Sequence, residues 1–107
     1  MDHPELAKTL SNRAYLLLRA GDHASAEPLY RRALAIQEKA LGPDHASLAV
    51  GLNNFAHLLQ TKGDYAGAEP LYQRALAIAE KNLGNDHPTT KSIRQNLEVV
   101  RRAQLRS

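Results

Sequence analysis

Ala26-Glu27-Pro28-Leu29-Tyr30 and Ala68-Glu69-Pro70-Leu71-Tyr72 are the same five residues set 42 positions apart, and that recurrence decides the fold. Sliding the chain on itself by the same step lays Asp2-His3 on Asp44-His45 and on Asp86-His87. Residues 2–43 and 44–85 agree at 26 of 42 positions, more than shared composition produces. In a composition dominated by Ala, Leu, Arg, Lys, Glu and Gln, such a period marks a helical array whose units bury their apolar faces against one another. The third copy opens at Asp86 and covers only the first half of a period. The expected architecture is two helical hairpins and one further helix.

Within each copy the punctuation is local. Asp-His leads into a first turn in which Pro4 or Pro88 is well placed, since proline there gives up no helical hydrogen bond. An apolar stripe then steps by three or four residues: Leu6, Leu10, Ala14 and Leu17 in the first copy, Leu48, Leu52, Ala56 and Leu59 in the second. Gly21-Asp22 and Gly63-Asp64 end this helix A and start helix B, glycine relaxing the backbone and aspartate capping the second helix. Helix B carries Ala26, Tyr30, Ala33 and Leu34, then Ala68, Tyr72, Ala75 and Leu76, and stops at Leu41-Gly42 and Leu83-Gly84. Pro28 and Pro70 each remove one backbone hydrogen bond there and predict a bend, not a break. The helices are expected at 4–19, 23–41, 46–61, 65–83 and 88–105.

The length of 107 residues suits one domain, 1–107, made of repeat one (2–43), repeat two (44–85) and a partial repeat or cap (86–107). The absence of cysteine removes disulfides, thiolate metal sites and a cysteine nucleophile, and fits a cytoplasmic protein. No basic and apolar leader opens the chain, and no stretch approaches the ~20 apolar residues of a spanning helix, so no membrane association is expected. Much of the net charge of +3 comes from Arg94, Arg101, Arg102 and Arg106 on the last helix. No aromatic side chains interleave with those arginines, which argues against nucleic acid.

The small residues Ala14 and Ala56 in helix A, Ala26 and Ala68 in helix B, and Tyr30-Ala33 and Tyr72-Ala75 resemble the tetratricopeptide repeat. The period of 42 and the strings Leu52-Asn53-Asn54-Phe55-Ala56, Ala75-Leu76-Ala77-Ile78 and Leu83-Gly84-Asn85-Asp86-His87-Pro88 are similar to the kinesin-light-chain type. The resemblance implies an all-α, right-handed solenoid of helical hairpins with helix A lining a concave groove. In the last helix Arg94 and Glu98 stand where Leu52 and Ala56 stood, so it reads as a solvated cap with Ile93, Leu97 and Val100 inward. The N-terminal helix A has no such cap, and its outer edge is expected to be free or to dock more chain or a second copy.

Function is therefore sought on the helix A positions outside the core: Lys8, Ser11, Asn12, Tyr15, Arg19, Asn53, Asn54, His57, Gln95, Asn96 and Arg102. Asn12, Asn54 and Asn96 share one phase, and asparagine is a mediocre helix former, so their recurrence needs a reason. Either these amides hold the main chain of an extended ligand, as the resemblance implies, or they bond between helices and set repeat spacing. His3, His45 and His87 belong to successive turns and are too dispersed for a metal, which leaves them a cap or turn role. His57 has Asn53, Asn54, Gln60 and Thr61 at helical spacing, no acid and no nucleophile.

No cofactor, metal or catalytic constellation is expected, and the chain reads as a scaffold and not an enzyme. A carboxylate-clamp variant of the family would want basic residues and a second amide where Ser11, Tyr15, Ser92 and Asn96 stand. The arginine that kinesin light chains often carry late in helix B is replaced by Gln37 and Ala79. The reading that results is a groove for an extended peptide or partner protein of some acidic character, with Lys8, Arg19 and Arg102 at its margins. The alternative is a structural segment that stacks through its exposed edges as a homo-oligomer, or a piece of a longer array.

Overall fold

The computed structural model describes residues 4–106, so Asp2 and His3 lie outside the described residues. Five helices succeed one another: α1 Pro4–Arg19, α2 His23–Leu41, α3 Ala46–Thr61, α4 Tyr65–Leu83 and α5 Pro88–Arg106. They match the expected spans, α5 running one residue further, and no strand occurs among the described residues. The α1/α2 and α3/α4 hairpins stack, and α5 packs on α4, in a slab of 43 × 33 × 19 Å.

The tight hairpin comes from two residues. Gly21 and Gly63 adopt φ of 87° and 89°, the left-handed region in which only glycine is free of side-chain strain. Their amides and those of the adjoining aspartates bond back to the last turn of helix A: Gly21 N–H to Leu18 O (3.0 Å), Asp22 N–H to Leu17 O (2.9 Å), Gly63 N–H to Gln60 O (2.9 Å) and Asp64 N–H to Leu59 O (2.8 Å). The same aspartates then cap helix B, Asp22 accepting from Ser25 N–H at 3.2 Å and Asp64 from Gly67 N–H at 2.9 Å. One residue thus closes one helix and opens the next. Between repeats the capping group is imidazole: His45 Nδ1 accepts from Ser47 N–H and His87 Nδ1 from Thr89 N–H, both at 3.1 Å. α2 and α4 run unbroken through Pro28 and Pro70.

The expected stripes are inside. Leu48, Leu52, Ala56 and Leu59 of α3 are buried, as are Tyr30 and Tyr72 of the B helices and Ile93, Leu97 and Val100 of α5. Ala14, Ala26, Ala56 and Ala68 are fully buried, consistent with closely approaching A and B helices. α1 differs in one respect: Leu16 is 67% exposed, whereas Leu58 and Val100, its counterparts one and two periods on, are 0% exposed. Those two are covered by the preceding repeat, and α1 has none among the described residues.

Polar ties link successive repeats at matching phases. Glu27 accepts from Lys62 at 2.6 Å and Glu69 accepts from Gln104 and Arg101; Glu38 pairs with Arg74, and Glu80 with Arg94 at 3.2 Å. Arg94 therefore does not simply face water as the sequence suggested. It bends back to neutralise Glu80, the role that Arg74 of the next helix B performs for Glu38. Glu98 does face solvent, paired with Arg102 at 3.2 Å on the same helix.

Candidate functional site

A cleft of about 360 Å³ runs between α1 and α3 and reaches the end of α2. Its lining is Lys8, Ser11, Asn12 and Tyr15 from α1, Gln37 from α2, and Ser47, Val50, Gly51 and Asn54 from α3. Five of the residues expected from the sequence, Lys8, Ser11, Asn12, Tyr15 and Asn54, thus meet in one place. Among the described residues neither Asn12 nor Asn54 has a side-chain hydrogen bond, so both amides are available in the cleft. Tyr15 and Val50 are 45% and 52% exposed and supply apolar wall. Lys8 is the one charged lining residue, and no carboxylate is present, so the cleft is mildly positive. Arg19 stands at its margin, its guanidinium 5.8 Å from the Tyr15 ring centre and donating to the Tyr15 hydroxyl at 3.3 Å.

A second, shallower cleft between α3 and α5 is lined by Val50, Asn53, Pro88, Thr89 and Ser92. Here the third amide is engaged: Asn96 Nδ2 donates to Asn53 Oδ1 at 3.1 Å, tying α5 to α3. Asn12, Asn54 and Asn96 share a phase, but at the second junction the amide spaces helices while at the first it stays open. Gln95 and His57 are exposed and lie outside both clefts. Arg102 is not at the groove margin. It stands one period after Gln60, whose Oε1 accepts from the Tyr72 hydroxyl at 2.8 Å, so its phase points toward the B-helix side. It lines instead a hollow of about 500 Å³ on the outer side of α4 and α5 with Leu76, Arg94, Leu97, Glu98, Arg101 and Leu105. The lining positions on α5 correspond to those of α3 that pack on α4, so this larger hollow lies on the face that in α3 receives helix B.

Gln37, Ser47 and Gly51 were not among the residues singled out for the groove. The signal for Gln37 was present: residues 32–39 and 74–81 are identical except for Gln37 against Ala79. Its Oε1 is buried and has no hydrogen-bond partner. Among the described residues no group of three or more His, Asp or Glu converges on a common point. Glu27 is held below the usual carboxylate range by hydrogen bonds from Lys62 and Arg31.

The tetratricopeptide-repeat family model matches residues 5–81 and again 47–107, so both hairpins from Glu5 onward and α5 fall within it. The chain belongs to the tetratricopeptide-repeat family. Its repeats are of the kinesin-light-chain type. The crystal structure of BtubC (BKLC) from P. vanneervenii superposes with a TM-score of 0.87 at 25% identity, covering 95% of this chain and 41% of that one. A Podosopora anserina protein described as a putative kinesin light chain with nearly identical TPR-like repeats superposes with a TM-score of 0.84 at 25% identity, covering 99% of this chain and 50% of that one. This tetratricopeptide-repeat chain therefore spans half or less of the length of those two. No curated protein sequence matches it. Tetratricopeptide repeats generally mediate protein–protein interaction, and no helix among the described residues is long and apolar enough to cross a membrane.

Proposed function

We propose that the cleft between α1 and α3 holds an extended segment of a partner protein, without catalysis. The observation that carries this reading is the pair of unengaged amides, Asn12 and Asn54, facing one cleft between the apolar walls of Tyr15 and Val50. A carboxamide offers a donor and an acceptor together, which suits the alternating N–H and C=O of an extended chain whatever its side chains. Lys8 and Arg19 favour acidic character beside the bound segment, and Arg102 lies away from the cleft. Nothing in the cleft pairs a nucleophile with a base, which supports a binding role alone.

The test is a peptide-library selection on the immobilised chain, with titration of the best peptide against the parent and Asn54→Ala. Loss of two hydrogen bonds at about 0.5–1.5 kcal/mol each should weaken binding roughly 5- to 150-fold with the melting temperature unchanged. Affinity should also fall as salt rises, and Asn54→Ala should leave that salt slope as it is. Unchanged affinity with a lowered melting temperature would assign Asn54 to helix spacing and move the stacking reading, for which the exposed Leu16 is the observation, into first place.

A further inference from the structure

The two inter-repeat junctions share backbone geometry but not floor chemistry. At the first, α2 contributes Gln37 and α3 contributes Gly51; one period on the same places hold Ala79 and Ile93, both buried. Gly51 makes room for the amide: a methyl group there would sit 3.3 Å from Gln37 Oε1 and 3.0 Å from Leu34 Cδ2, tighter than ordinary contact. The amide oxygen is buried, and among the described residues neither end of this side chain has a hydrogen-bond partner. A buried polar atom left unpaired is costly, and one period on an alanine stands at this position and brings no such atom. Gln37 lines the cleft that Asn12 and Asn54 face.

We infer that Gln37 sets the selectivity of this cleft, pairing with an uncharged hydrogen-bonding side chain (Ser, Thr, Asn or Gln) of the bound segment in preference to an apolar or acidic one. This rests on the proposed function, since it names what the same cleft reads. An apolar residue placed on the floor leaves the amide unpaired. A carboxylate there brings a full charge into a recess whose one cation, Lys8, belongs to another helix, and it meets an amide where a guanidinium would be needed to neutralise it. A neutral donor and acceptor satisfies the amide with no charge to desolvate. The flanking acidic character favoured by Lys8 and Arg19 then lies outside the floor position.

The experiment takes the peptide selected above, finds by alanine scanning the residue whose affinity is coupled to Gln37, and substitutes it with the near-isosteric pairs Thr/Val and Asn/Leu. For the parent chain, Thr should exceed Val, and Asn exceed Leu, by roughly five- to tenfold. With Gln37→Ala the order should reverse or vanish, and with Gln37→Arg an acidic residue should become the best at that position. Melting temperatures of both variants within a degree or two of the parent would keep the comparison on binding. If peptide binding and its loss in Asn54→Ala are observed but the Thr/Val and Asn/Leu ratios are the same in Gln37→Ala as in the parent, the inference about Gln37 is overturned and the cleft reading stands. If no peptide is retained, or the chain instead self-associates through this cleft, the cleft reading falls and the selectivity falls with it.

Discussion

The two B-helix tyrosines show how one substitution elsewhere changes the standing of a repeated residue. Tyr72 and Tyr30 occupy one phase and both are buried, which pushes each phenol up to about 12. The Tyr72 hydroxyl donates to Gln60 at 2.8 Å, while the Tyr30 hydroxyl is buried without a partner, because Leu18 stands where Gln60 stands. Tyr72→Phe should therefore lower stability by about 1 kcal/mol, the net worth of one hydrogen bond, and Tyr30→Phe should leave it unchanged or raise it slightly. Thermal melts of the two variants check this, and equal losses would mean that burial and not pairing governs both sites. At this scale the sequence was legible where the signal is chemical and local: Asp22 and Asp64 were read as caps and are caps. It was silent where a side chain's partner sits on another helix. Nothing in the shared phase of Asn12, Asn54 and Asn96 says that the last of them is spent on Asn53.

Among the elements, α5 is where pattern and role separate. The stripe by which helix A receives its own helix B reads Ala49, Leu52, Ala56 and Leu59 in α3, all buried, and becomes Lys91, Arg94, Glu98 and Arg101 in α5. Its other stripe stays apolar, with Ile93, Leu97 and Val100 buried on the preceding repeat. Such a helix packs on one side and is hydrated on the other, and its arginines also clamp it down, Arg94 to Glu80 and Arg101 to Glu69. Restoring the repeat pattern with Lys91→Ala, Arg94→Leu, Glu98→Ala and Arg101→Leu should expose an apolar face continuous with Leu76 and Leu105, and sedimentation should then show concentration-dependent association. A variant as monodisperse as the parent would mean that the charged stripe does not keep this face free. The charged stripe was visible in Glu98 and Arg94; that Arg94 also pairs with Glu80 was not, since it depends on where α4 ends relative to α5.

For the whole molecule, cohesion between repeats combines apolar packing with ion pairs, and this sets a pH window. Glu27 lies below its ordinary 4.5 in the fold, through Lys62 first and Arg31 second, and Glu69 is lowered through Gln104 and then Arg101. A depressed carboxyl stabilises the fold above its unfolded pKa and loses that contribution as pH falls through the folded value. The buried tyrosines, raised from 10.0 to about 12, favour the fold below 10.0 and lose that contribution as pH rises toward 12. The melting temperature should accordingly stay level between about pH 5 and about 9 and fall on either side. Glu27→Gln should flatten the acid arm, and Tyr30→Phe with Tyr72→Phe should soften the alkaline one. An alkaline arm identical in the double variant would place its origin elsewhere, in lysine. The sequence by itself determined the period, the five helices, the turns and the inward stripes, because each rests on interactions within a few residues: helical spacing, a left-handed glycine, an aspartate cap. Tertiary structure alone decided which amides stay open, that Arg102 lies in the hollow beside Leu76 and away from the groove, and that Gln37 forms the floor of the first cleft. Those outcomes join residues far apart in the chain, as Asn53 does with Asn96 and Glu38 with Arg74. They depend on the stagger and rotation of stacked helices, which the packing of the whole array sets and no single stretch of sequence specifies.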